Sequence, residues 1–345
     1  MPRLRRPTMR DVAALAGVSL NTVSRVVNGE PQVTEDLAAR VRRAVAQLNY
    51  KPNLTASNLR RSGGRSATIG LLLEDMANPF SSSIYRAVES VANLRGVEVL
   101  AGSLEENAER EKELAARLFT RRIDGLIIAP AGHDHSYLLS EQRAGAAVVF
   151  VDRPPELLAA DSVVSDHLDG SVKMVNHLIE FGHRKIGYMG YHLSIVTGKA
   201  RYAGYVQAMR DANVPIDPVY VCHGIQTMED AYSATLEMFR GTELPSALFS
   251  AHYWITIGAI RALRELALRQ RVAVVGFDDF MTADMLEPPV SVVTQDAAAM
   301  GRLAAEILFR RVDGDETPFE QHVLGTELIV RGTLRPTVRR TWRVG

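Results

Sequence analysis

The sequence predicts a small all-α head joined to a larger two-lobed α/β core whose parallel sheets are flanked by helices. Three observations predict this. The chain has 345 residues, too many for one core when domains run to roughly 100–200 residues. Its charge is segregated: residues 1–65 hold twelve Arg/Lys against four Asp/Glu, a net +8, while the other 280 hold 28 against 36, a net −8. From residue 66 onward, short apolar runs alternate with helical stretches, the pattern of parallel strands covered by helices.

Composition excludes several classes. A chain 46% hydrophobic and 23% charged is a folded globular one. No apolar run approaches the ~18–20 residues of a membrane span. The basic N-terminus lacks the apolar stretch of a secretory signal, so a cytoplasmic protein without membrane partners is expected. Cys222 is the single cysteine, which excludes an intrachain disulfide and a cysteine-based zinc cluster.

The first helix opens after Thr8, with Asp11 three residues on as a weak capping box. Val12, Leu15 and Ala16 give its apolar stripe, and Gly17 ends it. Ser19 caps a second helix with Val23, Val26 and Val27 inward, stopped by Asn28-Gly29. Thr34 starts a third, whose Leu37, Val41, Ala44, Val45 and Leu48 close the core. Two short helices across such a turn make a helix-turn-helix. With the valines inward, Leu20, Asn21, Thr22 and Arg25 face out. Asn pairs with adenine edges and Arg forks onto guanine; Ser19 and Thr22 suit phosphates. A basic head on an acidic body fits nucleic acid.

The run TMRDVAALAGVSLNTVSRVVNG, followed by VTEDLAARVRRAVAQLNYKPN, resembles the LacI/GalR family of bacterial transcriptional repressors. The resemblance implies that Leu20, Asn21 and Arg25 read bases in the major groove. Thr8, Ser19, Thr22 and Asn28 complete the expected contacts of the head. Lys51-Pro52-Asn53 breaks the third helix, and Asn53–Arg60 has room for about two helical turns, marginal alone in water. Ser62-Gly63-Gly64 follows as a flexible joint. By resemblance, PNLTASNLR is a hinge helix that folds on operator DNA. Asn53 and Ala56 lie on that hinge, and Leu59 matches the leucine that wedges into the minor groove. Apolar wedging kinks a duplex. The family often has Arg after the hinge alanine; here Ser57 follows Ala56.

In the core, strands are expected at Ile69–Leu73, Val97–Ala101, Leu126–Ala129 and Val148–Val151. A second set follows at Val163–Val164, Ile186–Met189, Tyr220–Cys222, Ala247–Ser250 and Val272–Phe277. Helices such as Ser82–Leu94, Ala108–Phe119, Ser171–Phe181, Arg201–Asp211 and Tyr232–Phe239 fall between them. Late strands near Val290–Val293 and Glu327–Val330 are expected to cross back between two lobes. IGLLLEDMANPF, DGLIIAP, VVFVDRP, HLIEFGHRKIGYMG, ARYAGYVQAM, VVGFDD and TELIVRGT resemble, in order, the periplasmic-binding-protein-like core of the same family. The expected division is a head at 1–50, hinge and linker at 51–65, core at 66–338 and a basic tail at 339–345. Within the core, the N-lobe takes about 66–164 and 294–324, and the C-lobe about 165–293 and 325–338.

Ligands of open α/β sheets sit beyond the strand C-termini. Asp75, Asp152, Arg153, Asp166, His252 and Asp278 occupy such ends, and Asn78 and Phe80 lie in the loop after the first strand. Arg201 is expected to open a helix after the loop Thr197-Gly198-Lys199. Carboxylates and a guanidinium grip hydroxyls or an anionic group, and an aromatic ring covers an apolar face. The resemblance implies that Arg201 and Asp278 contact effector, with Phe80, Thr197 and His252 in or near that pocket. Asp75, Asn78 and Asp152 complete the candidate set. Asp166 reads equally as a helix cap, Asp152 also as a turn former, and His252 also as a scaffold residue. The family usually has Asn-Asp where His252-Tyr253 stands, so a group titrating near neutrality is expected there.

Phosphate-loop, dinucleotide-fingerprint, nucleophile-elbow and HExxH motifs are absent from the sequence. His133-Asp134-His135 reads as a solvated turn rather than a metal site, and Cys222 as a small buried hydrophobe. The expected protein is therefore a ligand-responsive repressor, not an enzyme and without a cofactor. It should be a homodimer on a pseudo-palindromic operator, with a tetramer also open. A sugar or sugar derivative is the preferred effector, with nucleobase-like ligands second. A transport protein built on the same lobes would need a secretory signal and no basic head.

Overall fold

The computed structural model describes residues 7–27, 33–51 and 65–336. The chain divides into two compact units, with the boundary at Thr68. The head packs α1 (Met9–Ala16), α2 (Leu20–Val27) and α3 (Glu35–Gln47) around Val12, Ala13, Ala16, Val23, Val41, Ala44 and Tyr50. The Thr8 backbone N–H and its hydroxyl both donate to Asp11 Oδ2 at 2.7 Å, closing the N-terminus of α1. Its other end turns at Gly17 with φ +63°. There Arg40 of α3 donates from Nη2 to the carbonyls of Ala16 and Gly17 at 2.8 and 3.2 Å. A side chain from a distant helix thus satisfies orphan carbonyls. Leu15 departs from the expected stripe and is 46% exposed. The small Ala13 takes the inward place instead, letting helices approach closely.

In the core, β1 (Thr68–Leu73), α4 (Pro79–Leu94), β2 (Glu98–Ser103), α5 (Ala108–Thr120), β3 (Gly125–Ile128), α6 (Leu139–Arg143), β4 (Ala147–Val151) and β5 (Asp161–Ser165) come first. Then follow α7 (His167–Glu180), β6 (Ile186–Met189), α8 (Val196–Asp211), β7 (Val221–Cys222), α9 (Met228–Met238), β8 (Ala247–Ser250), α10 (Tyr253–Glu265), β9 (Ala273–Phe277) and β10 (Ser291–Gln295). The chain ends through α11 (Ala297–Val312), β11 (Gln321–Leu324) and β12 (Thr326–Ile329). One six-stranded sheet has the order β11-β5-β4-β3-β1-β2 and the other β12-β10-β9-β8-β6-β7. The two lobes share one strand order, but the last strand runs parallel to β5 in the first sheet and antiparallel to β10 in the second. β3, β4 and β9 are buried along their whole length, as expected of parallel strands covered on both faces.

The late strands differ from expectation. β10 and β12 pair antiparallel within the second sheet; the crossings lie at their ends. The chain passes between lobes at Asp166, Asp296 and Gly325. Asp166 and Asp296 each cap the helix that follows, accepting from the N–H of Asp169 at 3.0 Å and of Ala299 at 2.8 Å. β11 escapes the sequence reading because it is a sheet edge: Val323 is 58% exposed, so no apolar run marks it. Tyr220 ends a 3₁₀ turn (Pro218–Tyr220), leaving a two-residue β7. Among the described residues, no helix is long and apolar enough to cross a membrane.

The N-lobe core joins Ile69, Leu71, Ile84, Val88, Val149 and Met300. Gly301 of α11 faces α4 so closely that a Cβ would stand 2.6 Å from the Ile84 carbonyl oxygen and 3.0 Å from Ala87 Cβ. Gly301→Ala gains ~1 kcal/mol of helix propensity but forces two helices apart, at ~1–3 kcal/mol of overpacking. Net destabilisation is expected, read as a lower urea midpoint at unchanged slope; an unchanged or higher midpoint contradicts this packing.

Candidate nucleic-acid interface and effector cleft

In the head, Leu20 is 46% exposed on α2 and Asn21 is exposed beside it, while Val23 is fully buried. An apolar side chain and a carboxamide therefore project from the face opposite the core. Ser19 caps α2, accepting from the Thr22 N–H at 3.1 Å and hydrogen-bonding its hydroxyl at 2.9 Å. Arg25 is half-buried in the last turn of α2, and Thr8 is held by Asp11. Asn28, Asn53, Ala56 and Leu59 lie outside the described residues.

The core brings most of the other candidates to the facing ends of the two sheets. Helix α8 begins at Val196, earlier than expected. Thr197 and Arg201 therefore lie one turn apart on one helical face, both buried, rather than Thr197 in a preceding loop. Arg201 Nη1 donates to the Ala251 carbonyl at 2.7 Å and to Asp278 Oδ2 at 3.4 Å. Its guanidinium lies over the Phe277 ring, 3.9 Å from the centroid. Asp278 Oδ1 accepts from Gln295 Nε2 at 2.6 Å. Asp278 and Asp152 occupy equivalent strand ends, after β9 and β4, with left-handed φ of +68° and +65°. Each sends its N–H to the neighbouring strand, Asp278 to Val293 at 2.8 Å and Asp152 to Val163 at 3.0 Å. A non-glycine residue held there costs ~1–3 kcal/mol, and Asp is among those that tolerate it.

Asn78 is buried as the cap of α4, accepting from the Phe80 N–H at 2.9 Å. Asp75 accepts from the Ala77 N–H at 2.9 Å, so both residues shape the loop. Phe80 lines a cavity of about 170 Å³ with Asp278 and Gln295. A second opening of about 190 Å³ lies between Arg153 and Glu106 on one side and Ser194 and Val196 on the other. A further cavity, about 460 Å³, lies at the opposite ends of the second sheet's strands, by Lys185, Ser246 and Val272, away from all of these groups.

Several residues were missed from sequence. Glu106 forms a bidentate pair with Arg153, whose Nη1 is 2.7 Å from Oε2, and Arg153 also donates to the Pro130 carbonyl at 2.9 Å. Glu74 accepts from the Tyr191 hydroxyl at 3.4 Å, across the lobes. His167 Nδ1 is 3.4 Å from Arg201 Nε. Glu74 and Glu106 follow β1 and β2, so the strand-end rule that flagged Asp152 also reaches them. His135 departs from the solvated-turn reading: it is buried against Phe150 and accepts from the Glu156 N–H at 2.8 Å. Among the described residues, no group of His, Cys, Asp or Glu could hold a metal ion. Cys222 is partly buried and free.

Burial also decides the charge of His252. It caps α10, its Nδ1 accepting from the Trp254 N–H at 3.3 Å, and its ring packs 4.8 Å from Tyr191 and from Tyr253. Burial pushes its pKa down to about 3, so it does not titrate near neutrality. Burial likewise holds His167 well below its usual value, with Arg201 adding to the effect. Glu74 moves the other way, raised to about 7 by burial and then by Glu106. The signs are opposite. A depressed histidine stabilises the fold above its unfolded pKa of ~6.5 and loses that stability as pH falls towards 3. A raised glutamate stabilises the fold below ~4.3 and loses that stability as pH rises through 7. His252→Asn should therefore flatten the acid side of the stability profile, and Glu74→Gln the fall between about pH 4.3 and 7. Parallel urea titrations across pH check both; unchanged slopes contradict the burial of these groups.

A profile described as "Bacterial regulatory proteins, lacI family" matches residues 8–53, and one described as "Periplasmic binding protein-like domain" matches residues 175–334. The HTH-type transcriptional repressor PurR of Haemophilus influenzae (strain PittEE) is 31% identical over 335 residues, covering 95% of this chain and 98% of that protein. The crystal structure of the lac repressor dimer bound to operator and the anti-inducer ONPF superposes with a TM-score of 0.81 at 28% identity, covering 95% and 99% of the two chains. The complex of the transcriptional regulator CelR with cellobiose superposes at 0.70 with 31% identity, covering 95% and 100%. With a basic helix-turn-helix head and a polar cleft between two like lobes, the chain belongs to the LacI family of DNA-binding transcriptional regulators.

Proposed function

We propose that this chain is a cytoplasmic, homodimeric repressor whose hold on a pseudo-palindromic operator is set by a small polyhydroxylated effector. The observation that carries this reading is the buried Arg201–Asp278 pair at the C-lobe strand ends, with Asp152 at the matching place in the N-lobe. The proposed lobes are about 66–164 with 294–324, and 165–293 with 325–338, and the effector sits between them. Arg201, Asp278, Asp152, Thr197 and His252 form its polar wall, and Phe80 covers an apolar face. Asp75 and Asn78 hold the loop that carries Phe80. A sugar or sugar derivative is the preferred class, in keeping with the cellobiose complex of CelR. An apolar ligand would leave two charges desolvated without compensation.

On DNA, α2 of each head reads one half-site, so a dimer spans two. Leu20, Asn21 and Arg25 meet base edges, Thr8, Ser19, Thr22 and Asn28 the backbone. The hinge residues Asn53, Ala56 and Leu59 meet the minor groove. The lac repressor relative was solved as a dimer on operator, which supports the same arrangement here. Effector binding changes operator affinity only through a difference in affinity for the two states.

Two experiments test this. Arg25→Ala should lose about 1–3 kcal/mol on the cognate operator through one bidentate base contact, and less on random DNA. Equal losses on both would reduce Arg25 to a phosphate contact. Arg201→Ala and the gentler Asp278→Asn should bind operator as dimers yet respond to effector at least tenfold more weakly, read by operator titration with and without ligand. Variants that respond like the parent place the effector elsewhere; variants that fail to dimerise make these residues purely structural.

A further inference from the structure

The cleft holds more negative charge than its own cations balance. Four carboxylates converge there: Glu74 and Glu106 after β1 and β2, Asp152 after β4 and Asp278 after β9. They face two guanidinium groups, Arg153 and Arg201. These groups share one field, since Glu106, Asp152, Asp278 and Arg153 all act on Glu74. The two histidines packed among them are held neutral by burial, so they add no positive charge.

The pairing within the cluster is uneven. Arg153 is engaged by both oxygens of Glu106 and by the Pro130 carbonyl. Arg201 is engaged by Asp278 and the Ala251 carbonyl, with its face on Phe277. Arg201 cannot turn to a new anion without leaving the buried Asp278 carboxylate unpaired, which is strongly unfavourable. Arg153 keeps both Nη groups engaged, with only its Nε lacking a hydrogen-bond partner among the described residues. Glu74 receives a long 3.4 Å hydrogen bond from Tyr191. Asp152 stands 3.4 Å from Arg153 Nε and 3.8 Å from His167 Nε2. Asp152 carries the surplus, and Glu74 adds to it when ionised.

A separate observation points to a ligand rather than to a closed charge cluster. Among the described residues, the Gln295 carboxamide oxygen and the Tyr253 hydroxyl are buried without a hydrogen-bond partner. Both residues are more than nine-tenths buried. Gln295 lines the cavity beside Asp278 and Phe80, and the Tyr253 hydroxyl feels Asp75, Glu74 and Asp278. Buried polar atoms without partners are uncommon in folded proteins. A carboxamide oxygen and a phenol match the donors and acceptors of an alcohol.

We propose that this cleft selects polyhydroxylated ligands that are uncharged or amine-bearing, and rejects their phosphorylated and carboxylated counterparts. The proposal rests on the reading of the cleft as the effector site. A hydroxyl donates to Glu74 or Asp152 and accepts from Tyr253 at no cost in charge. An ammonium gains from the surplus carboxylates. A phosphate or carboxylate meets like charge at close range, in a site where burial weakens screening. The raised pKa of Glu74 comes first from burial and then from this crowding by Glu106, Asp152 and Asp278.

The test is a set of matched sugar series against the full-length chain, by thermal shift and calorimetry. Each series holds the parent sugar, its 2-amino form, its 6-phosphate and its aldonic acid, in the gluco, galacto and manno configurations. The expected result is that a parent or amine form binds in at least one series, with its phosphate and acid at least tenfold weaker. A phosphate or acid that outbinds its parent overturns the proposal, as does a panel in which no parent or amine form binds. Asp278→Asn separates the two ways of failing. If it abolishes binding of a preferred anion, the cleft is the effector site and its charge selectivity was misassigned. If binding survives it unchanged, the cleft is not the effector site.

Discussion

Charges placed at the buried ends of parallel strands must be paired or neutralised, and much of the core answers that one constraint. An isolated ion out of water costs several kcal/mol even after relaxation. Arg201 is met by Asp278, the Ala251 carbonyl and the Phe277 ring; Arg153 is met by Glu106 and the Pro130 carbonyl. The partners come from the ends of β2, β3, β8 and β9, so the pairing fixes several strand ends at once. Histidines in the same place lose their proton and Glu74 tends to keep one. Each is the same response, a buried group giving up its charge where no counter-ion is close enough.

The repeated strand order gives this constraint a second form. Both sheets share one strand order, and in each the strand before the crossover pair ends on an aspartate in a left-handed turn. Asp152 and Asp278 thus present carboxylates from corresponding places in two lobes. The helices after the first two crossings are capped by Asp166 and Asp296 with nearly identical backbone angles. An aspartate at the lobe junction is therefore sometimes a cap and sometimes a cleft wall. Sequence position alone does not tell them apart: Asp166 bonds its own helix, whereas Asp152 lies within reach of Arg153 and His167.

What was legible in the sequence follows the range of the physics behind it. The head was readable because capping and a 3.6-residue stripe are local, as Thr8–Asp11 and Val12, Ala16 and Val23 bear out. Arg40 capping α1 from 24 residues away was not. The central strands were readable because both their faces are covered; the edge strand β11, with Val323 exposed, carried no such signal. At the cleft, the strand-end rule reached Asp278 and Asp152 and placed Arg201 nearby. It did not reveal that Glu106 claims Arg153 or that Tyr191 meets Glu74, because those pairs join distant segments. The charge of His252 was misjudged for a related reason: residue type gives an intrinsic pKa, and burial by Tyr191 and Tyr253 overrides it.

If the cleft holds the effector as proposed, its division between lobes limits what that effector can do. Arg201, Asp278 and His252 all belong to elements of the second sheet and its helices. A ligand held by them alone would bind both arrangements of the lobes equally and shift nothing, however tight. Moving an equilibrium from 1:99 to 99:1 needs about 5.5 kcal/mol of differential affinity. Hydrogen bonds to charged groups contribute ~1.5–3 kcal/mol each, so about two to four contacts made in only one arrangement suffice. They have to come from Asp152, Glu74 or the loop that carries Phe80, on the first sheet's side. The Tyr191–Glu74 contact that already bridges the lobes is long, at 3.4 Å, and holds them together only weakly. On the proposed reading, the side chains that would grip the effector and those that would convert gripping into a switch are therefore different sets, on different sheets.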